Sequence, residues 1–481
     1  MDRAKTMLAE GSIGSDFLQL DIREAPPGGL ADWLAGRLRA AIADGRLPVG
    51  GRLPASRVLA AELRVSRGVV TDAYQRLVDD GHAVGRGRAG TVVVAAPVVP
   101  PEPVPVSSTA KVITSSPGPE IFDAMRAAPA RIDLTPGVPD LTAFPRAAWL
   151  RAERSVLDEL EPAQFGYGDP RGAPAMRRAV SHWLARSRGI RADPGEIIVV
   201  AGVAQALTLL GDVLRRHGIT EMAVEDPSSL GARQHLHHCG LATPPVPVDD
   251  DGLRVAELSA PAVLLTPAHQ FPMGVVLGGE RRRDLMRWAA EGGIVVEDDY
   301  DAEHRYDRAP VPAVRSMVPE VCYLGSVSKL LAPALRIGWL LAPPRFRDDL
   351  VAAKRFADLG NGVLPQLVLA RLMETGELER QLRVVRARHR RRRDAMIRAL
   401  SDALPSAFVH GAAAGLHLTV TFGDGVDDVA LAAAALEAGV KVQPLSWHRQ
   451  RPGRPGLVLG YAARTGTEIA EGVAVLGKLL R

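Results

Sequence analysis

Two short segments in the second half of the chain carry residue types that could hold and activate an aldehyde cofactor. One segment reads GSVSK (325–329), and Arg336 follows seven residues after its lysine. A lysine whose pKa is lowered can form a Schiff base, while serine hydroxyls and a guanidinium can hold a phosphate dianion. The segment therefore predicts a site for a phosphorylated aldehyde.

The other segment, EDDY (297–300), follows an apolar run. Three consecutive acids at the end of a buried strand are costly unless they meet a cation or hydrogen-bond donors. A carboxylate opposite a pyridine nitrogen completes the set of groups that holds pyridoxal 5′-phosphate (PLP), and we take Asp298 as that carboxylate. Each segment alone also fits a solvated surface, and the acids alone fit a metal site.

Short apolar runs alternate with helical patterns from residue 132 onward. Helical periods such as Gln205 to Arg216 and Glu280 to Glu291 lie between the runs. This rhythm predicts an α/β domain with a mostly parallel sheet and helices on both faces, whose ligands lie at the carboxyl ends of the strands. The strand candidates are Ile197 to Val200, Met222 to Val224, Ala262 to Leu265, Ile294 to Val296 and Val321 to Leu324.

The stretch from Ala95 to Glu120 is rich in Pro and Ser and has neither a helical nor a strand period. Such a segment favours extended conformations, so we interpret it as a linker between domains, with a long surface loop as the alternative. The predicted organisation is a flexible N-terminus (1–20), a small domain (21–95), a Pro-rich linker (96–130) and a large domain (131–481).

The small domain shows three helical patterns and a hairpin. The helices are expected from Gly28 to Gly45, from Ala55 to Leu63 with Ser56 as N-cap, and from Arg67 to Asp79 with Ser66 as N-cap. Strand-like residues then flank GRGRAG (85–90), which predicts a wing. Two short helices, a tight turn and an amphipathic helix are typical of a helix-turn-helix.

Charge favours a nucleic-acid partner for this domain. From Arg46 to Thr91 there are eight Arg against four acids. DNA phosphates attract cations and helix N-termini, and a recognition helix reads bases with its first residues. The alternative is a three-helix interaction domain with a solvated basic face.

The run from Gly50 to Val94 resembles the winged helix-turn-helix of the GntR family of regulators. The markers are LPASR (53–57), VSRGVV (65–70), AYQRL (73–77) and AGTVVV (89–94). Thr71 and Arg88 depart from the residues common at their positions, which leaves the operator sequence open. The resemblance implies that double-stranded operator DNA is approached by Arg57, Ser66, Arg67, Arg88 and Gly90.

Residues from about 132 to the C-terminus resemble the fold-type I aminotransferases. The matching runs are FGYGDPRGAPAMRRAV (165–180), TPAHQFPMG (266–274), VVEDDYDAEHRY (295–306) and GSVSKLLAPALRIGWL (325–340). The resemblance implies that Lys329 forms the Schiff base with PLP, that Asp298 pairs with the pyridine nitrogen and that Tyr300 reaches the ring hydroxyl. It implies that the phosphate is held by Ser326, Ser328, Arg336 and backbone donors at the Gly202 turn. Tyr167 would reach the phosphate of a neighbouring subunit, which implies a homodimer.

The two domains in this order resemble the MocR subfamily of GntR regulators. Some of its members respond to amino acids bound at PLP, while the PdxR-like regulators respond to PLP and control its synthesis as vitamin B6. Ser229 replaces a stacking aromatic residue, Ala201 and Val203 replace hydroxyl residues of the phosphate turn, and Val458 replaces a carboxylate-binding Arg.

Loss of that Arg removes a clamp on an α-amino acid worth about 1.5–3 kcal/mol, unless Arg454 or Arg464 substitutes. We therefore expect a PLP-dependent transcriptional regulator with at most residual transaminase activity. An amino-acid-responsive regulator, an active aminotransferase fused to a DNA-binding module, and a DNA-binding protein that has lost its cofactor stay open.

Composition limits the remaining options. A net charge of +4, 47% hydrophobic residues and two cysteines argue against a disordered chain or a disulfide framework. No apolar run approaches the ~18 residues of a membrane span, and the first 20 residues lack a signal-peptide core, so we expect a cytoplasmic protein.

Two local clusters need separate interpretation. The spacing of His235, His237, His238 and Cys239 does not match that of structural zinc sites, so we expect no metal site. The Arg-rich run 386–393 is expected to be solvated or intersubunit surface, with a second DNA contact as the alternative.

Overall fold

The structure, a computed structural model, describes residues 20–87, 90–95, 113–307 and 311–481. The chain divides between residues 110 and 111 into two compact units. We describe each unit by itself.

The small unit is built on three helices: α1 (Leu30–Ala43), α2 (Ser56–Glu62) and α3 (Arg67–Asp79). Its core collects apolar side chains of all three helices, including the fully buried Leu38, Leu59, Val70 and Leu77. Burial of such faces supplies most of the stability of short helices, since helices of this length are marginal alone.

The predicted cap of α3 is confirmed and that of α2 is wrong. Ser66 caps α3, its Oγ accepting from the backbone N–H of Val69 at 3.4 Å. Ser56 is instead the first residue of α2, and Ala55 occupies the N-cap position without a side-chain hydrogen bond. The Ser56 hydroxyl is available to the neighbouring helix, because its Oγ accepts from Nε of Arg67 at 3.3 Å.

The wing consists of strands β1 (Ala83–Gly85) and β2 (Thr91–Val93), which pair antiparallel with Ala83 opposite Val93. Gly87 and Gly90 have φ of 57° and 82° in its turn, a region that favours glycine. Arg88, which the sequence predicts to approach DNA, lies outside the described residues.

The large unit contains an eight-stranded sheet of order β4-β11-β10-β9-β8-β5-β6-β7. Strands β11 and β7 run antiparallel to their neighbours, and the central pairs β10–β9, β9–β8, β8–β5 and β5–β6 are parallel. The strands are β4 (Ile197–Val200), β5 (Ala223–Asp226), β6 (Pro245–Asp249), β7 (Gly252–Leu253), β8 (Ala262–Leu265), β9 (Ile294–Asp298), β10 (Cys322–Ser326) and β11 (Gly338–Leu341).

Helices cover both faces of this sheet, as predicted. Alternate residues of each strand enter different cores: Ile197 and Val199 pack with one helix group, Ile198 and Val200 with the other. The helices before the second sheet are α4 (Ile121–Ala127), α5 (Arg146–Glu159), α6 (Pro174–Arg188), α7 (Gly202–Arg216), α8 (Leu230–His238), α9 (Gly279–Ala290), α10 (Pro344–Asp358), α11 (Val363–Glu374) and α12 (Glu377–Ala403).

A second, four-stranded antiparallel sheet follows α12, of order β12-β13-β16-β15, with a two-stranded pair β3–β14 beside it. Its core includes Leu418, Val420, Leu459 and Tyr461, all inaccessible to solvent. The elements are β3 (Ile132–Asp133), β12 (Phe408–His410), β13 (His417–Thr421), α13 (Asp428–Glu437), β14 (Val440–Lys441), β15 (Gln443–Pro444), β16 (Gly456–Gly460) and α14 (Gly466–Leu479).

The end of the segment predicted as linker belongs to the large unit. Ile113, Ile121 and Met125 are buried in the core of the second sheet, and helix α4 lies in this stretch. Burial of these apolar side chains stabilises the packing of this part of the segment on the large unit. Residues 96–112 of the predicted linker, like residues 1–19, lie outside the described residues.

Within the described residues, no helix combines the length and the apolar character needed to cross a membrane.

Candidate functional site

A cavity of about 520 Å³ lies in the large unit where parallel strands end. Glu225 at the end of β5, Thr266 after β8, Asp298 at the end of β9 and Ser326 at the end of β10 all line it. Carboxyl ends of neighbouring parallel strands open at one edge of a sheet, which explains their convergence. Of the eight predicted cofactor residues, six line the cavity: Asp298, Tyr300, Ser326, Ser328, Lys329 and Arg336.

Lys329 follows β10, and its Nζ donates to the carbonyl oxygen of Gly137 at 2.5 Å. Burial lowers the pKa of this amine, while the carboxylates of Asp301 and Asp298 oppose that shift. Gly137 has a φ of 88°, and a Cβ there would lie 3.2 Å from Nζ, so glycine leaves the lysine its room. A lowered pKa increases the fraction of neutral amine, the form that attacks an aldehyde.

Asp298 carries a carboxylate with a buried oxygen that has no hydrogen-bond donor in the described part of the chain, and Lys329 is the nearby cation. Burial, together with Asp299, raises its pKa to about 7. Its Oδ1 is buried and has no hydrogen-bond partner among the described residues. A protonated pyridine nitrogen would supply both a donor and the opposite charge.

The guanidinium of Arg336 lies against the start of α7. A Cβ on Gly202, the first residue of that helix, would be 3.2 Å from two of its nitrogens, and Arg336 donates to the carbonyl oxygen of Ala201. Gly202 itself does not line the cavity, but Val203 and Ala204 beside it do. Since the first N–H groups of a helix have no partners within it, this end offers donors as well as a cation to an anion.

The predicted start of α7 at Gln205 is three residues late. The side chain of Gln205 accepts from the N–H of Ala201 at 2.8 Å and so closes the turn in front of the helix. Ser326 and Ser328 complete this end of the cavity, where the N–H of Ser328 donates to Oγ of Ser326 at 3.4 Å.

Tyr300 faces the cavity from the loop after β9, and its hydroxyl lies 3.0 Å from Nδ1 of His269. The same Nδ1 is 3.0 Å from a carboxylate oxygen of Asp301. Burial and the neighbouring carboxylates raise the pKa of Tyr300 well above its ordinary value, so the phenol keeps its proton. His269 was present in a matching motif, but its place behind Tyr300 was not predicted.

Three further residues of the cavity were missed from the sequence. Glu225 is buried with its pKa raised to about 7 by burial, and it accepts from the backbone and hydroxyl of Thr266 at 3.0 and 2.7 Å. Phe122 of α4 also lines the cavity, near Gly231. Its segment was assigned to the linker, so only hydrophobic periodicity over residues 121–127 could have indicated it.

The departures predicted at Ser229 and Val458 have different surroundings. Ser229 lines the cavity, and its Oγ caps α8 by accepting from the N–H of Ala232 at 3.3 Å. Val458 is fully buried in β16, between Thr419 and Gln443, and does not line the cavity.

Neither arginine considered as a substitute at position 458 lines the cavity. Arg454 lies over the ring of Phe408 at 5.5 Å, and Arg464 donates to the carbonyl oxygen of Asp133 at 3.1 Å. The cations that do line it, besides Lys329 and Arg336, are Arg126 and Arg233.

Tyr167 does not line the cavity of its own chain, and 96% of its surface is exposed.

The Arg-rich run lies in α12, where several side chains contact other residues of the large unit: Arg388 and Arg392 pair with Asp140 at 3.2 and 3.0 Å. Arg390 and Arg391 are exposed.

The predicted DNA residues that the structure describes are each exposed on the small unit. Arg57 lies in the first turn of α2, while Ser66 and Arg67 start α3. In this unit, as far as it is described, Arg57 and Arg67 form no ion pair, whereas Arg76 pairs with Asp32 and Asp72. Gly90 of the wing is exposed as well. Unneutralised cations at two helix starts suit phosphate oxygens.

Comparison with known families agrees with both units. Residues 131–472 match the family described as aminotransferase class I and II, and residues 30–93 match the bacterial regulatory proteins of the gntR family. The predicted fold class is therefore confirmed.

Relatives with both units span nearly the whole chain. A probable rhizopine catabolism regulatory protein MocR of Rhizobium meliloti is 31% identical over 459 residues, covering 91% of each chain. The pyridoxine biosynthesis transcriptional regulator PdxR of Corynebacterium glutamicum is 29% identical, covering 93% of this chain and 95% of its own.

Solved aminotransferases resemble the large unit. A kynurenine aminotransferase of Pyrococcus horikoshii, in complex with PMP, superposes with a TM-score of 0.68 at 27% identity, covering 75% of this chain and 93% of its own. A multiple-substrate aminotransferase of Thermococcus profundus gives 0.69 at 27% identity, with 76% and 95% covered. Fold and site thus define a GntR-type winged helix-turn-helix joined to an aminotransferase fold. The chain belongs to the MocR subfamily of GntR transcriptional regulators.

Proposed function

We propose that this regulator binds PLP at Lys329 and that PLP occupancy controls its action on operator DNA. One observation carries the proposal. A single cavity brings together a lysine of lowered pKa, a carboxylate without a partner, and an arginine beside two serines and a helix start. These groups match the aldehyde, the pyridine nitrogen and the phosphate of PLP.

Each residue has a defined task toward the cofactor. Lys329 would hold the aldehyde carbon, Asp298 would keep the pyridine nitrogen protonated, and Tyr300 would donate to the ring oxygen. Ser326, Ser328, Arg336 and the first turn of α7 at Gly202 bind the phosphate. When bound, PLP supplies an electron-accepting ring conjugated to the lysine nitrogen.

The small unit would bind double-stranded operator DNA through Arg57, Ser66, Arg67, Arg88 and Gly90. Its free cations at the starts of α2 and α3 support this assignment. Because its proposed partner is genomic DNA, we place the protein in the cytoplasm. A dimeric regulator would read two half-sites one or more helical turns apart.

We propose a homodimer in which Tyr167 completes the partner's phosphate site. Phe165 and Tyr167 are exposed on one loop, and Phe356 and Leu359 are exposed close by, since a Cβ on Gly360 would lie 3.3 Å from Pro170. Large exposed apolar patches of this kind mark interaction surfaces.

PLP itself is the effector that we favour, with genes of vitamin B6 synthesis as targets. The similarity to PdxR supports the targets. The surroundings of Val458 support the effector, because the position where the resemblance places a carboxylate-binding Arg is here an uncharged, fully buried residue outside the cavity. A ligand shifts the arrangement of the two units only if it binds the two arrangements unequally.

The test is the absorbance spectrum of the purified protein with added PLP. Wild type should develop a visible absorbance band, and borohydride should abolish the band while attaching the cofactor covalently to the protein. Lys329→Ala should show neither effect. Lys354→Ala, which removes another buried lysine that pairs with Asp358, is the matched control and should keep the band.

Operator binding is then titrated with PLP and, separately, with α-amino acids. A change in operator affinity with PLP alone supports the proposal. A change that needs an amino acid supports the amino-acid-responsive alternative, and the absence of any band in wild type would overturn the PLP site.

A further inference from the structure

Behind Tyr300 lies a buried chain of polar groups that leads away from the cavity. Nδ1 of His269 contacts the Tyr300 hydroxyl at 3.0 Å and the carboxylate of Asp301 at 3.0 and 3.2 Å. His269 and Asp301 are each 1% exposed. The ring is closely packed, since a Cβ on Gly415 or Gly274 would come within 2.1 or 3.0 Å of it.

The neighbours of His269 select one proton arrangement. An ionised carboxylate can only accept hydrogen bonds, so contact with Asp301 requires a proton on Nδ1. The other nitrogen, Nε2, is buried and has no partner among the described residues. A proton on Nε2 would be a buried donor without an acceptor, whereas a bare Nε2 leaves only an unused lone pair.

We infer that Asp301 and His269 form a positioning pair that holds the Tyr300 hydroxyl as a hydrogen-bond donor toward the cavity. With its proton on Nδ1, His269 cannot accept from the phenol. An acceptor in the cavity then competes for the Tyr300 proton with the Asp301 carboxylate, which lies beside the phenol and is already engaged by Nδ1 of His269. This inference rests on the proposed PLP site, where that acceptor is the ring oxygen of the cofactor.

If the hydroxyl is held in this way, the pKa of the adduct between Lys329 and PLP should be lowered. The ring oxygen carries more negative charge once the Lys329–PLP adduct has lost its proton, so a fixed donor favours the deprotonated adduct and lowers its pKa. Other ionisable groups surround the pair: Asp298, Glu225, Lys329, His304 and His417. Burial lowers the pKa of His417 to about 4 and also lowers that of His304, so both are neutral near pH 7.

The experiment is a pH titration of the absorbance of the PLP-loaded protein. Asp301→Asn should raise the adduct pKa by about one unit, a tenfold change, because the Tyr300 proton can then turn back toward His269. Direct loss of a negative charge would act in the opposite direction, since an anion stabilises the protonated adduct. The sign of the shift therefore separates the two effects.

Asp301→Asn in a Tyr300→Phe background tests whether Asp301 acts on the adduct pKa through the Tyr300 hydroxyl. There Asp301→Asn should leave the pKa unchanged or lower it, because no phenol proton is left to redirect. His269→Gln leaves the Asp301 carboxylate in place and should raise the pKa of the adduct in the Tyr300 background. A lowered pKa for Asp301→Asn in both backgrounds, or no shift with either variant, would overturn the inference.

A second measurement does not depend on the cofactor. Nitrogen-15 NMR of histidine-labelled protein without PLP, assigned with His269→Gln, should show the neutral tautomer protonated on Nδ1. The other tautomer would refute the positioning pair even if PLP binds. A correct tautomer with no PLP band in wild type would instead refute the proposed function and leave the hydrogen-bond arrangement standing.

Discussion

The unpartnered carboxylate of Asp298 leads us to predict that replacing it stabilises the apoprotein but weakens the binding of PLP. In the unfolded chain this group titrates near 3.8, and in the folded apoprotein at about 7. Between these values the native state keeps a proton that the unfolded state has lost. The folded apoprotein therefore loses stability as the pH rises through this window. Asp298→Asn should remove that loss and stabilise the apoprotein above pH 7.

The magnitude follows from the shift. About three pH units at ~1.36 kcal/mol each give an upper value of ~4 kcal/mol. Solvent screening in the open cavity reduces it to ~2 kcal/mol. A change of that size should raise the thermal midpoint of the apoprotein by roughly 2–4 °C at pH 8 and by little at pH 4.

Asp298→Asn should also weaken the binding of PLP. A charge-assisted hydrogen bond contributes about 1.5–3 kcal/mol, so PLP affinity should fall by roughly 10- to 150-fold. Thermal unfolding with and without PLP at pH 4 and pH 8 measures both effects. Asp402→Asn, at an exposed carboxyl in α12, is the control and should change neither.

Stabilised apoprotein together with weakened PLP is a result that a purely structural role would not produce. If Asp298→Asn lowered the midpoint at pH 8 and left PLP affinity intact, the carboxylate would have a partner other than the pyridine nitrogen. The assignment of Asp298 would then be withdrawn.

Three further predictions concern other parts of the chain. Arg67→Ala should weaken operator binding by ~1–3 kcal/mol in gel shifts and reduce the slope of log affinity against log salt concentration by about one. Arg39→Ala, which removes a cation paired with Asp80, is the control and should do neither. Equal effects of the two variants would argue against α3 as the recognition helix. Gly202→Ala should weaken PLP at least ~10-fold in absorbance titrations, because the Cβ would meet Arg336 at 3.2 Å at a φ of 78°; unchanged affinity would remove this turn from the phosphate site. Val458→Arg should destabilise the large unit by ~3 kcal/mol or more in thermal unfolding rather than create transamination, because it would place a cation in a fully buried strand; a stable variant that transaminates would show that the position reaches the cavity.

Local patterns were sufficient for much of the fold. Strand β4 and helix α3 match their predicted bounds, because a continuous apolar run and a capped amphipathic period are properties of adjacent residues. The candidate cofactor residues after β9 and β10 could also be predicted from the sequence, since each lies within a few residues of its own strand end. Their meeting in one cavity followed from the parallel pairing of those strands.

What only the tertiary structure decided are contacts between residues far apart in the chain. The packing of Phe122 into the cavity depends on apolar burial of a segment whose composition resembles a linker. The contact of the Tyr300 hydroxyl with His269, 31 residues away, and the unpartnered Nε2 of that histidine are revealed by no motif. By itself, the sequence determined which groups are present and which strand ends carry them. The fold determined which buried polar atoms lack partners, because hydrogen-bond satisfaction depends on every element packed around an atom and not on its neighbours in sequence.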